Sequence, residues 1–133
     1  MIRILIIEDD LSVGAAIQMM LGREDCDAVH APDADAGIKA FDSSSFDLVI
    51  IDIFMPGMNG IRAIKELRQR APTIPILAIS GFRFRHSMDP SLDFLGMAAS
   101  VGATVCLRKP FAPRQLMAAV QASLDPAVPV FSS

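Results

Sequence analysis

Five short apolar runs, each stopped by acids or turn-forming residues, alternate with stretches of helical period, and this alternation leaves the chain few folds. The first run is IRILII (2–7), halted by Glu8-Asp9-Asp10. A weaker one, CDAVHA, spans 26–31, and LVIID (48–52) stops just before Pro56-Gly57. ILAIS (76–80) follows Pro72 and Pro75, and a last short run covers 104–107. Between them, residues 11–21 place Val13, Ile17, Met20 and Leu21 at helical spacing behind a capping Asp10. Residues 33–41, 61–70, 92–101 and 114–124 repeat that period. Nearly continuous apolar strands separated by helices predict a parallel sheet covered on both faces. Right-handed crossovers then point to an α/β, doubly wound, five-stranded sheet of order 2-1-3-4-5 with five helices. Residues 1–124 form the expected domain, and 125–133, with two prolines in PAVPVFSS, a loose C-terminal tail.

Composition narrows the function. At 133 residues one core is expected, and 52% hydrophobic residues suffice to fill it. A net charge of −3 offers no basic field for nucleic acid or anionic lipid. No apolar run approaches the length that spans a membrane, and the start lacks the apolar region and cleavage site of a secretory leader. A cytoplasmic location is therefore expected. Cys26 and Cys106 show no CxxC spacing and are expected to be reduced thiols.

In a doubly wound sheet, ligands sit outside the carboxyl ends of the strands where the winding reverses. Glu8 and Asp9 end the first strand there and Asp52 ends the third, its neighbour. Three converging carboxylates raise one another's pKa unless a cation intervenes. With neither His nor Cys in the cluster, a hard ion such as Mg2+ fits better than zinc. Ser80 ends the fourth strand with a hydroxyl donor, and Lys109 follows the fifth with a long-stemmed cation suited to a phosphoryl oxygen. The set describes an aspartate poised to accept a phosphoryl group.

The stretches ILIIEDD (4–10), FDLVIIDIFMPGMNGI (46–61), ILAIS (76–80) and LRKPF (107–111) resemble those of bacterial response-regulator receiver domains. The resemblance covers about residues 2 to 124 and implies a flavodoxin-like receiver fold. It implies Asp52 as phosphoacceptor, Asp9 as a direct magnesium ligand and Glu8 as an acid acting through a metal-bound water. It also implies the backbone carbonyl of Phe54 as a further ligand, Ser80 as the switch hydroxyl and Lys109 as the phosphoryl-contacting lysine before a cis proline. The donor would be a histidine kinase or histidine phosphotransfer protein. The output would be a partner protein not named by the sequence, or a phosphorylation-dependent homodimer. The chain would be a self-phosphorylating and self-dephosphorylating switch rather than a turnover enzyme, with no membrane and no direct nucleic-acid partner. A stand-alone relay is the leading expectation, with a receiver cut from a larger regulator as the alternative.

Two departures stand out. Cys106 occupies the position, three before the lysine, where the family carries Tyr or Phe. The segment between Ser80 and Lys109 is longer than usual, the extra length falling in GFRFRHSMDPSLD (81–93). Phe54 and Phe82 flank the family's path for hydrolytic water and are expected to slow loss of the phosphoryl group. A magnesium-dependent small-molecule phosphotransferase or phosphatase is the competing class, and would want a general acid beside the nucleophile and an enclosing cap. A flavin or nucleotide carrier would want a Gly-rich loop where Glu8-Asp9-Asp10 stands.

Overall fold

Strands that are apolar on both sides place one side against each of two helical layers. The computed structural model describes residues 1–55, 60–80 and 99–125, together with the backbone of 130–131. Strands β1 (Ile2–Ile7), β2 (Cys26–Ala31), β3 (Leu48–Asp52), β4 (Ile76–Ser80) and β5 (Val105–Arg108) pair in parallel in the order 2-1-3-4-5. Helices α1 (Leu11–Gly22), α2 (Ala34–Ser43), α3 (Gly60–Arg70) and α4 (Pro113–Leu124) connect or follow them, and residues 99–101 are also helical. The rest of the helix expected over 92–101 lies outside the described residues, as does the long 81–93 segment.

Leu5, Ile7, Val49, Ile51 and Ala78 face one core with Ile38 of α2 and Ala63, Ile64 and Leu67 of α3. Ile4, Ile6, Ile50, Leu77 and Ile79 face the other with Ile17 and Leu21 of α1 and Leu116 and Val120 of α4. Strands buried on both faces explain why these runs read as continuous rather than alternating.

Boundaries differ from expectation where a side chain substitutes for a backbone partner. Asp33 is not the first residue of α2 but its cap, accepting from Ala36 N–H at 2.7 Å. Thr104 stands outside β5 because its hydroxyl accepts from Ile76 N–H at 3.1 Å while its own N–H reaches Ile76 O at 2.7 Å. Arg108 takes the last place in β5 instead. Within the tail, Val130–Phe131 forms a sixth, two-residue strand, β6, parallel to the outer edge of β5.

At the far end of the sheet from the strand carboxyl ends, Arg68 ties three segments together. Its Nε and Nη2 donate to Gly102 O at 3.0 and 2.6 Å, and Nη1 donates to Ala71 O at 3.3 Å and to Ile74 O. Burial holds the guanidinium below its usual pKa, and these carbonyls supply the compensation that such burial requires. Arg68→Met should fill the space yet take the donor from the Gly102 and Ile74 carbonyls. We expect a loss of about 2–4 kcal/mol, read as a lower midpoint in urea unfolding, and an unchanged midpoint would contradict this role.

Candidate functional site

The end of β1 delivers Glu8 one residue beyond the strand, where its N–H extends the ladder to Ala31 O at 3.1 Å. Its carboxylate is wholly buried. Asp52, the last residue of β3, is 4% exposed. One of its oxygens, Oδ1, accepts from Phe54 N–H at 2.9 Å. Lys109 follows β5 with its backbone N–H donating to Ser80 O at 2.8 Å, which couples the ends of β4 and β5. Its Nζ bonds to Glu8 Oε1 and lies 3.4 Å from Asp52 Oδ2. The Lys109–Pro110 bond is cis, as the resemblance implies.

Glu8, Asp9 and Asp52 each offer a carboxylate oxygen within 4.8 Å of the other two. Burial raises the Glu8 carboxyl above its ordinary pKa, and the neighbouring Asp52 carboxylate adds to this while Lys109 pulls the other way. Asp10 takes no place in the cluster. It caps α1, accepting from Ser12 Oγ, Ser12 N–H and Val13 N–H at 2.7, 3.0 and 3.2 Å. The Ser12 hydroxyl, followed by the Val13 amide, lowers its pKa. A donor set of hard carboxylate oxygens, carrying three negative charges against one ammonium, fits Mg2+.

The fold thus brings Glu8, Asp9, Asp52 and Lys109 together, with Ser80 at the end of the adjacent strand. Cys106 lies in the α2–α3 core next to Ala78, its partner in register across β4. Both cysteines are buried thiols. Phe54 packs partly buried against that same core, which favours a packing role over a lid on the hydrolytic water. Phe82 lies outside the described residues.

Three further residues shape the site and escaped the sequence reading. Gly60 begins α3 hard against the Asp52–Ile53 backbone, with its N–H 3.2 Å from Ile53 O. His30 and Gly14 meet beside Glu8. The one signal for His30 is its position in phase with Cys26 and Ala28 on the α1-facing side of β2.

Among the described residues, Lys109 is the cation that these bonds place between two buried carboxylates. Its loss should resemble the breaking of a buried pair, costing about 2–4 kcal/mol in chelator. Lys109→Ala should therefore unfold at lower urea than wild type without metal, with the gap narrowing when magnesium is added. Equal midpoints in chelator would mean the clasp contributes nothing to the fold.

A doubly wound parallel sheet with paired acids, an aspartate and a lysine converging at its switch point defines a class of phosphoryl-accepting signalling domains. The response regulator receiver domain family matches residues 4–121, and the chain belongs to it. The alkaline phosphatase synthesis transcriptional regulatory protein PhoP of Bacillus subtilis (strain 168) is 30% identical over 122 residues, covering 92% of this chain and 48% of that protein. The transcriptional regulatory protein CiaR of Streptococcus pneumoniae (strain ATCC BAA-255 / R6) is 32% identical over 124 residues, covering 93% and 52%. The chain spans about half the length of the curated relatives it matches. Among solved structures, a response regulator receiver domain protein from Clostridium thermocellum superposes with a TM-score of 0.82 at 25% identity, over 93% of this chain and 94% of that one. The chemotaxis protein CheY4 of Vibrio cholerae gives 0.81 at 26% identity, over 93% and 99%. This is a receiver domain of phosphorylation-dependent two-component signalling. Among the described residues, no helix is long and apolar enough to cross a membrane.

Proposed function

We propose that Asp52 accepts a phosphoryl group from a histidine kinase or histidine phosphotransfer protein and that the domain signals to a partner protein while it is modified. The observation that carries this reading is Lys109 Nζ lying 3.4 Å from Asp52 Oδ2 while bonded to Glu8, inside a cluster of three acids. An Asp52 oxygen attacks the phosphorus of a phosphohistidine, the P–N bond breaks, and the released imidazole takes up a proton. Lys109 turns from the carboxylates toward the incoming phosphoryl oxygens, and the Ser80 hydroxyl donates to another of them. Glu8, Asp9, Asp52 and the Phe54 carbonyl would hold magnesium. When bound, it supplies countercharge to the phosphoryl oxygens. Attack by water on phosphorus then returns Asp52 and inorganic phosphate, so the domain resets itself without turning over a separate substrate.

Helix α1 supports a protein donor. It contains no charged residue, starts directly after Glu8-Asp9-Asp10, and exposes Leu11 by 67% and Met19 by 61%. An apolar helical surface of a cytoplasmic kinase or phosphotransfer protein would be complementary to it. A homodimer formed in the phosphorylated state is a further output compatible with this fold.

The test is intact-mass spectrometry of the wild-type protein after incubation with acetyl phosphate, with and without magnesium. One phosphoryl group, dependent on magnesium and mapped to the peptide containing Asp52, is expected. Uptake elsewhere, or equal uptake in chelator, would overturn the assignment.

A further inference from the structure

The Glu8 carbonyl belongs to the peptide plane joining Glu8 to Asp9, so the setting of that plane fixes how the two acids stand relative to each other. On its strand side the Glu8 N–H is held by Ala31 O at 3.1 Å. The next rung would require another backbone N–H from β2. The strand ends at Ala31, and Pro32 and the α2 cap Asp33 carry the chain away. A side chain takes over, with His30 Nε2 2.8 Å from Glu8 O. A carbonyl can only accept, so Nε2 carries the hydrogen.

The imidazole reaches that position only because α1 has a gap for it. Gly14 lies in the helix interior, where glycine is among the least favourable residues. A Cβ at Gly14 would sit 2.6 Å from His30 Nδ1 and closer still to Cε1 and Nε2. Two elements distant in sequence are thus matched, a missing side chain on α1 and a ring on β2. Their meeting point is the backbone of the buried acid.

We propose that His30, seated on Gly14, is a positioning residue for the Glu8–Asp9 pair. Its N–H fixes the peptide plane between them and thereby sets the affinity of the site for magnesium and the rate of phosphoryl uptake at Asp52. This rests on the site reading given under Proposed function. Outer partners of metal-holding groups commonly control affinity in this way, here through the main chain.

Two amides test the donor geometry. Gln places its N–H near the reach of Nε2, whereas Asn, one methylene shorter, does not. Magnesium affinity is read by isothermal titration calorimetry, uptake from acetyl phosphate by intact mass, and folding by thermal unfolding in chelator. His30→Asn should weaken magnesium binding about tenfold and slow uptake, while His30→Gln should restore most of both. Gly14→Ala should evict the ring and lose affinity to a similar degree. Added to His30→Asn, it should cost nothing further in affinity and raise the melting temperature, because alanine favours the helix.

The proposal is overturned if His30→Asn binds magnesium and takes up the phosphoryl group as wild type does. It is equally overturned if Gly14→Ala weakens magnesium binding alike in both backgrounds. Wild-type protein that binds no magnesium and takes up no phosphoryl group would overturn the site reading itself, and this inference with it.

Discussion

Asp52→Asn should leave a folded protein that takes up no phosphoryl group from acetyl phosphate or from a phosphorylated partner. The nucleophile is a carboxylate oxygen, and an amide supplies neither its charge nor its reactivity. The fold should tolerate the change. The amide oxygen of the replacement side chain can still accept from Phe54 N–H, which Asp52 Oδ1 now holds at 2.9 Å, and Lys109 keeps its bond to Glu8. Removing one of three clustered charges also relieves Glu8, whose carboxyl is raised first by burial and then by Asp52. The melting temperature in chelator should therefore equal or exceed that of wild type. Intact mass showing undiminished phosphate incorporation would remove Asp52 from the role. A melting temperature many degrees lower would show that the cluster is structural.

The sheet was legible because both of its faces are buried. IRILII, LVIID and ILAIS each read as strands to the residue, and their order followed from handedness and short connections. The acid cluster was legible for a related reason, since strand ends in this topology converge on one side. Contacts between side chains from separate elements were hidden. Nothing in the periodicity says that Lys109, a long-stemmed cation suited to a phosphoryl oxygen, bonds to Glu8 across 101 residues of sequence. Arg68 sits four residues after Ile64, on the flank of the buried stripe of α3, and reads as a solvated charge until the carbonyls around it are seen. The tail reads as loose because Pro126 and Pro129 interrupt it, yet two residues suffice to pair with an open strand edge.

Gly60→Ala should have the largest effect on stability of any single-methyl change near the site. The added Cβ would lie 2.6 Å from Asp52 O and closer to Ile53 Cα. A flexible side chain could yield to it, but these are main-chain atoms fixed from the other side. Ile53 N–H is bonded to Ile79 O at 3.0 Å, Asp52 is paired with Ile79 in the sheet, and the Ile53 side chain is 2% exposed. The start of α3 must retreat instead, loosening Ala63, Ile64 and Leu67, all of them fully buried. Overpacking of this kind costs about 3 kcal/mol, or about 10 °C in melting temperature for a domain of this size. Phosphoryl uptake should also slow at temperatures where the variant is still folded, because the strained backbone carries the acceptor. Gly22→Ala is the matched control: nothing lies within 4 Å of its Cβ position at the end of α1, so it should melt at or slightly above wild type. Differential scanning fluorimetry of the two variants, with uptake by intact mass at a common temperature, measures both effects. A Gly60→Ala protein that melts with the control and accepts phosphate at the wild-type rate would mean that α3 can shift without disturbing Asp52.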